Sequence, residues 1–205
     1  MIILIILMSF IAGCSSGTNV LPEVLPYKLI YVTKDSFNGN FYPTATLFGY
    51  NGSHFDTDAV ADYLCQVDSQ CPNGKTCKAM LAIHGWNRPG SIIRSANPLI
   101  NWVLAPNTNY KNLSGRVIGK TNENAIFDVA GTQPITLANV INPNIDNAWS
   151  GMRLDWTSSA ECNGWTTEIH DEKGFVGSPN QIHGEVIAVG MQTCDNILPI
   201  YCVEQ

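Results

Sequence analysis

The sequence has little charge, and the charge it has is mainly acidic. Only 14% of its residues are charged, against about 25% in an average soluble domain. Its 11 Lys and Arg face 17 Asp and Glu, for a formal net charge of -6. The chain therefore lacks the basic surplus that neutralises a phosphate backbone, and no nucleic acid is expected as a partner. With 45% hydrophobic residues it can bury a core, and its 205 residues suit one domain.

The sequence also lacks an apolar run long enough to cross a membrane. Residues 1–12 are nearly all apolar, but a bilayer core needs about 20 such residues, so the run predicts a signal peptide. The residues that follow, Ile11-Ala12-Gly13-Cys14, resemble the lipobox of bacterial lipoproteins. This resemblance implies cleavage before Cys14 and lipidation of that cysteine. Ser15 in the next position favours the outer membrane, on its surface or its periplasmic face. A plain secretory signal is the alternative.

These features predict the domain organisation. Residues 1–13 are expected to form the signal peptide, 14–26 a lipidated tether and 27–205 one folded domain. The tether has two prolines and no helical or alternating pattern, which is typical of a linker. No Lys or Arg precedes the apolar run, which departs from the lipoprotein pattern and leaves a start codon farther upstream as an alternative.

No cysteine pair has the two-residue gap of a zinc knuckle, so disulfides are favoured over a metal site. Apart from Cys14 the sequence contains Cys65, Cys71, Cys77, Cys162, Cys194 and Cys202. An even number of cysteines in an exported chain predicts three disulfides, although spacing alone leaves many pairings open. Pro-Asn-Gly between Cys71 and Cys77 is a turn signal and makes this pair the first candidate.

The hydrophobic pattern predicts strands, helices and loops. Strands are predicted over the β-branched or apolar segments 28–33, 78–83, 185–191 and 198–203. One helix is predicted to start near Asp56, with Thr57 as its cap, and another over residues 96–104. Residues 38–55 are rich in Gly, Asn and aromatics and predict a surface loop, while 105–147 predict turns and short strands.

A family resemblance appears in the second half of the chain. Glu161-Cys162-Asn163-Gly164-Trp165-Thr166-Thr167-Glu168, then Gly174, Gly177-Ser178, Cys194 and Tyr201-Cys202-Val203-Glu204, resembles the C-terminal half of endostatin. Upstream, Cys77-Lys78-Ala79-Met80-Leu81, Trp102, Tyr110 and Trp149-Ser150-Gly151 look like the bacterial endostatin-like lipoprotein family, domain of unknown function 1554. The resemblance covers roughly residues 27–205.

The resemblance implies an α+β, C-type lectin-like (endostatin-like) domain. Such a domain has two helices, a twisted and mostly antiparallel sheet and long loops. It also implies a helix cysteine paired with one in the last strand and a second pair nested inside. Carried over, Cys65 would join Cys202, Cys162 would join Cys194, and Cys71 would be left with Cys77. Trp149, Trp156 and Trp165 match positions expected in the core.

The sequence offers weak signals for a chemical or calcium site. Calcium-dependent lectins use a Glu-Pro-Asn or Gln-Pro-Asp loop, but Gln133-Pro134 is followed by Ile135, and residues 186–193 contain no acid. No metal or cofactor is therefore expected. Endostatin binds heparin through clustered Arg side chains, and because this chain has few basic residues, heparin binding is not expected of it. His84, which directly follows a predicted strand, and His170 are candidates for the base of a hydrolase.

The better candidates for ligand contact are aromatic. Trp86 and the aromatic residues near segment 38–55 could present rings to a partner. The candidates for ligand binding are Trp86, His84, Tyr50, Phe55 and Tyr42.

We therefore expect a lipid-anchored, non-enzymatic binding module. The resemblance implies adhesion to a host or extracellular matrix protein or glycan, without calcium, and attachment to the membrane through the N-terminal lipid. The alternatives are an envelope hydrolase that uses a His base and a structural envelope lipoprotein.

Overall fold

The structure, a computed structural model, describes residues 26–85, 92–127 and 136–205. In chain order its elements are β1 (Tyr27–Val32), α1 (Phe41–Leu47), α2 (Thr57–Val67), β2 (Cys77–Ala79), β3 (Ile83–His84), β4 (Ile92–Arg94), β5 (Asn109–Lys111), β6 (Val117–Lys120), β7 (Ala148–Trp149), α3 (Cys162–Trp165), β8 (Lys173–Gly177), β9 (Gly190–Thr193) and β10 (Tyr201–Glu204). α3 is a single distorted turn, in which Asn163 and Gly164 have positive φ. The chain is thus an α+β domain with few helices.

The strands form several small sheets. A five-stranded sheet has the order β2-β10-β1-β5-β6, a second contains β3 and β4, and a third has the order β7-β8-β9. In the large sheet β1 is antiparallel to β10, with Tyr31 opposite Cys202, and parallel to β5. The last strand therefore lies in the middle of the domain, next to the first.

The helix α2 packs one face on the large sheet. Val60, Ala61, Leu64 and Cys65 are buried along it, at the three- and four-residue spacing of an amphipathic helix. The predicted start is confirmed to within one residue, but the predicted cap is wrong. Asp56 is the N-cap residue, whereas Thr57 is the first helical residue, and its hydroxyl is buried without a hydrogen-bond partner among the described residues.

Three disulfides join distant parts of the chain. Cys65 in α2 is bonded to Cys202 in β10, Cys162 to Cys194, and Cys71 to Cys77. These are the pairs that the endostatin-like resemblance implies. The first bond closes a loop with a sequence separation of 137 residues, for which chain entropy predicts a stabilisation of about 5 kcal/mol.

Three tryptophans lie in the core, as predicted. Trp149, Trp156 and Trp165 are at most 1% exposed. The indole N–H of Trp149 donates to the Phe37 carbonyl at 2.8 Å, and that of Trp165 to the Ala82 carbonyl at 2.9 Å. These bonds satisfy polar groups that would otherwise be costly to bury.

Segment 38–55 is not a loop throughout, and this prediction is wrong in part. It contains α1, in which Phe41 and Ala45 lie one turn apart and are buried. The Phe41 ring stacks on Trp165, with ring centroids 5.1 Å apart. Tertiary packing of these two residues therefore overrides the turn-rich local composition.

The predicted helix over residues 96–104 is also wrong. The chain forms turns there, with Ser95 and Ile100 paired in an antiparallel bridge and Asn101 at φ 44°. Asn97-Pro98 and Asn101 favour turns over helix, because proline lacks an N–H donor and asparagine tolerates the left-handed region.

Two predicted strands are displaced. Residues 184–186 form a 3-10 turn, and β9 begins only at Gly190. The strand predicted over 78–83 is divided between β2 and β3, with the intervening backbone bonded to two neighbours: Met80 N–H donates to Tyr201 and Ala82 N–H to Ser150.

No helix in residues 26–85, 92–127 or 136–205 has the length and apolar character needed to span a bilayer. The predicted signal peptide, lipidation site Cys14 and most of the tether lie outside the described residues.

Candidate functional site

Side chains from α1, the loop after it and α2 form one aromatic surface, which we call the aromatic face: Tyr42, Tyr50, His54, Phe55 and Tyr63. The ring centroids of Tyr42 and Tyr50 are 6.1 Å apart, those of Tyr50 and Tyr63 5.3 Å, those of Tyr42 and His54 5.5 Å, and those of His54 and Phe55 3.7 Å. Phe55 remains 44% exposed. The structure thus brings together Tyr42, Tyr50 and Phe55, three of the five predicted ligand-binding residues.

The core and a glycine turn position this face. Phe41 anchors α1 on Trp165, and the adjacent Tyr42 is half-buried and packs against the same core cluster. Gly49 has φ +102° and reverses the chain, and the Tyr50 N–H then donates to the Ala45 carbonyl at 2.9 Å. A Cβ at Gly49 would lie 3.3 Å from the Tyr63 hydroxyl and would need a strained backbone.

The aromatic face is acidic. Residues 35–74 contain five aspartates and no Lys or Arg, although the charge of Asp62 is neutralised by the buried Arg94. The pKa of Tyr50 is raised, first by burial and then by the charges of Asp56 and Asp58, which places both carboxylates within electrostatic reach of the Tyr50 hydroxyl. Aromatic rings carry negative potential on their faces, so rings and carboxylates together favour a cation.

A shallow pocket adjoins the aromatic face. It has a volume of about 310 Å³ and is lined by Asn40, Tyr42, Pro43, His54 and Thr166. Asn40 and Thr166, the residue after α3, pair in an antiparallel bridge, which links this pocket to α3. This volume lies at the lower end of small-molecule sites and is large enough for one long side chain of a partner.

His84 lies in a different place, where it forms what we call the His84 cluster with Ser158 and Glu161. The Nδ1 atom of His84 is 2.8 Å from Oε1 of Glu161, and its Nε2 atom is 3.2 Å from Oγ of Ser158. The imidazole is therefore bonded on one side to a carboxyl group and on the other to a hydroxyl group.

Close backbone packing holds this cluster. Glu161 pairs with Gly174 of β8, and Ser158 pairs with Met152. Gly151 has φ +67°, and a Cβ there would come 2.7 Å from the Ala82 carbonyl oxygen and 3.4 Å from Glu161 Cβ. Cys162, bonded to Cys194, follows Glu161 directly, so the carboxyl group is fixed from several sides.

Burial controls the charge of the cluster. The Glu161 side chain is 9% exposed, and burial raises its pKa to about 8. Burial also lowers the pKa of His84, whose side chain is 27% exposed. At neutral pH the imidazole is neutral, and Glu161 is mostly protonated. A hydroxyl, a neutral imidazole and a carboxyl group in this order can pass a proton along the hydrogen bonds.

Sequence reasoning identified His84 but missed Ser158 and Glu161. The two residues lie 74 and 77 positions from His84 along the chain. The position of His84 at a strand end was the one usable signal, because no local pattern marks the other two.

The other predicted base, His170, has a solvated partner. Its Nδ1 atom lies 2.8 Å from Oδ2 of Asp195, and the imidazole is 76% exposed. The hydrogen bond to Asp195 raises the pKa of His170. Such an exposed pair contributes little to stability. Among the hydrogen bonds of the described residues, no hydroxyl group is bonded to His170.

Two predicted features cannot be placed. Trp86 and Gln133-Pro134 lie outside the described residues. Within the described residues, no group of three or more His, Cys, Asp or Glu side chains is arranged to hold a metal ion.

The fold and these surfaces define a disulfide-bonded α+β domain. A family model described as "Protein of unknown function (DUF1554)" matches residues 48–182, and the chain belongs to this family. The match includes Tyr50, Phe55 and the entire His84 cluster, whereas Tyr42 precedes it. No curated protein matches the chain significantly.

Proposed function

We propose that the protein is a lipid-anchored binding module of the bacterial envelope that adheres to host or extracellular matrix macromolecules through a non-enzymatic contact, without calcium. The observation that carries this proposal is the aromatic face, in which Tyr42, Tyr50 and Phe55 lie together on a disulfide-braced scaffold. Exposed aromatic clusters on a rigid support are typical of the energetic centres of protein interfaces.

The proposed fold is C-type lectin-like, of the endostatin type. In its support, a cysteine of α2 is bonded to one of β10, and the Cys162–Cys194 bond is nested between them in sequence. The first and last strands are adjacent in the central sheet.

The proposed location is the outer membrane. The apolar run of residues 1–12 and the Ile11-Ala12-Gly13-Cys14 stretch support export and lipidation at Cys14. Residues 15–26 would then serve as a tether between the lipid and β1, which starts at Tyr27. A tether of this length lets the domain present its aromatic face away from the bilayer.

The proposed partner is a protein that presents Lys or Arg side chains. The acidic segment 35–74 and the exposed rings would attract such side chains through long-range charge and through cation–π contact. A stable contact of this kind would bury roughly 1,200 Å² or more in total. The pocket beside Tyr42 has room for one such side chain.

Binding to an array tests the proposal. Residues 15–205, with all three disulfides intact, would be applied to matrix proteins, serum proteins and glycans, with and without a calcium chelator. Saturable binding to a protein that is indifferent to the chelator is expected. Binding to a glycan that the chelator abolishes would replace the proposal with a calcium-dependent lectin, and absence of binding would favour a structural envelope role.

A further inference from the structure

We infer that the His84 cluster is a second functional site, in which Ser158 is a nucleophile toward carboxylic esters, His84 its base and Glu161 the positioning residue. This inference goes beyond the proposed binding function, which needs no chemical step and uses other residues.

The geometry is that of an activated hydroxyl. The Oγ atom of Ser158 lies 3.2 Å from Nε2 of His84, within reach of proton transfer, and Nδ1 lies 2.8 Å from the buried Glu161 carboxyl group. A nucleophile, a base and a group that orients the base are the parts that this chemistry requires. The second carboxyl oxygen of Glu161, Oε2, is buried without a hydrogen-bond partner among the described residues, so His84 is the one side chain that these hydrogen bonds join to the carboxyl group.

The serine side of the cluster is partly exposed to solvent. Ser158 is half-buried and His84 is 27% exposed, whereas Glu161 is 9% exposed. A reagent can therefore reach the hydroxyl from solvent while the carboxyl group stays shielded. Esters suit such a partly exposed site better than amides, because an alcohol leaves with less assistance from a proton donor than an amine does.

The protonation of Glu161 decides the direction of the hydrogen bonds. When Glu161 is protonated, its O–H donates to Nδ1 of the neutral imidazole, and the ring proton lies on Nε2, which then donates to Ser158. When Glu161 is ionised, it accepts the Nδ1 proton, and the lone pair on Nε2 accepts the hydroxyl proton of Ser158. Only the second arrangement makes His84 a base. The pKa of Glu161, about 8, predicts that the nucleophile becomes active as the pH rises through that value.

The reaction proceeds through an acyl-enzyme. Ser158 Oγ bonds to the ester carbonyl carbon while its proton passes to Nε2, and the carbon–oxygen bond to the alcohol then breaks as that alcohol takes the proton. Water next gives a proton to Nε2 and attacks the acyl carbon, and Ser158 leaves with the proton. One ester and one water become one alcohol and one carboxylic acid.

An alkyl fluorophosphonate tests the site directly. Ser158 Oγ would bond to phosphorus and displace fluoride, and the hydroxyl proton would pass through His84 to solvent. The full-length protein, purified in detergent with its disulfides intact, would be labelled between pH 6 and pH 9.5 and mapped by mass spectrometry. We expect label on Ser158, with a rate that rises roughly tenfold from pH 7 to pH 9.

Four variants separate the roles. Ser158→Ala should abolish the label, and His84→Ala should slow it by about 100-fold or more. Glu161→Gln keeps the shape and donates an N–H to Nδ1, so it should lock the inactive arrangement and remove the rise near pH 8. Ser159→Ala is the matched control, because this neighbouring hydroxyl accepts from Arg153 Nε at 3.1 Å and not from His84.

Charged groups near the His84 cluster must also be excluded as the cause of the pH dependence of labelling. The charged groups on the adjoining segments are Arg153 and Asp155, on the turn before Ser158, Lys173, next to Gly174 on β8, and Arg94 on β4, opposite Ile83 of β3. They are present in Glu161→Gln, so a rise that persists there belongs to them and overturns the role of Glu161. Wild-type labelling at pH 9 no faster than in Ser158→Ala overturns the site as a whole. Neither result affects binding by the aromatic face, which the array measures separately.

Discussion

The guanidinium of Arg94 is fully buried and makes a bidentate ion pair with the carboxylate of Asp62. Its Nη1 lies 2.6 Å from Oδ1 and its Nη2 lies 2.8 Å from Oδ2. Nη1 also donates to the Ala79 carbonyl, and Asp62 accepts from the Ala79 N–H. The pair thus joins α2, β2 and β4.

Removal of Asp62 should therefore destabilise the domain strongly. Asp62→Ala leaves a buried guanidinium with its main partner lost, and the free energy of unfolding should fall by about 3–5 kcal/mol. Urea unfolding followed by tryptophan fluorescence measures this change. Lys78→Ala is the control, since the Lys78 side chain is 38% exposed and 3.8 Å from Asp62, and its loss should cost under about 1 kcal/mol. Equal effects of the two variants would contradict this account of the pair.

The disulfides should differ in their contribution according to the loop that each closes. Replacement of Cys65 and Cys202 by Ala should lower the free energy of unfolding by up to about 5 kcal/mol, and replacement of Cys71 and Cys77 by about 2 kcal/mol. The sequence separations of 137 and 6 residues set this order. Denaturant unfolding of the two double variants provides the comparison. A larger loss from the short loop would show that chain entropy does not govern these bonds.

Stability should fall as the pH rises through the titration range of Glu161. The folded state holds the pKa of Glu161 at about 8, above its ordinary value of 4.5, so between these values the folded protein binds more protons than the unfolded chain. The free energy of unfolding contributed by this group therefore decreases from pH 4.5 to about pH 8. His84, with a lowered pKa, acts in the opposite sense and costs stability at acidic pH.

Glu161→Gln should remove this pH dependence. At pH 5 the variant resembles the protonated wild type, and the two should have similar stabilities. At pH 8.5 the variant should be the more stable by on the order of 3 kcal/mol, because it carries no buried charge. Unfolding curves at both pH values measure the difference. A wild type that is equally stable at pH 5 and pH 8.5 would contradict the assignment of a buried, protonatable Glu161.

The sequence predicted those features that are marked by local composition or by a series of residues shared with the family. The strand at residues 28–33 follows from its β-branched and aromatic composition, the start of α2 from its capping and acidic residues and the apolar face that follows them, and burial of Trp149 and Trp165 from the family resemblance. The structure agrees closely with all of these, because the apolar pattern that signals each element also packs it.

Apart from the disulfides that the family resemblance implied, the long-range contacts could not be predicted from the sequence. The helix α1 depends on Phe41 packing against Trp165, more than a hundred residues away. The His84 cluster likewise unites a strand end with Ser158 and Glu161 from a distant turn. The aromatic candidates near segment 38–55 were identified by composition, but only the fold separates buried Phe37 and Phe41 from Tyr42, Tyr50 and Phe55.

Binding by the aromatic face should weaken with salt. The acidic segment 35–74 would contribute long-range attraction to a cationic partner, and this attraction is screened as ionic strength rises. We expect a slower association rate at 500 mM than at 50 mM salt, with a smaller change in dissociation. Association kinetics on the partner found in the array would measure this, and a rate independent of salt would contradict the proposed charge complementarity.

The most direct test of the central claim is the affinity of a Tyr50→Ala/Phe55→Ala variant for that partner. The control is Leu154→Ala/Val189→Ala, which removes two exposed apolar side chains, 52% and 49% exposed, from a pocket that no aromatic-face residue lines. If the aromatic face is the contact surface, the first variant should lose tenfold or more in affinity, as expected for interface hot spots, while the control binds as the wild type does. Unchanged affinity in the first variant, or an equal loss in the control, would show that the protein binds through another surface.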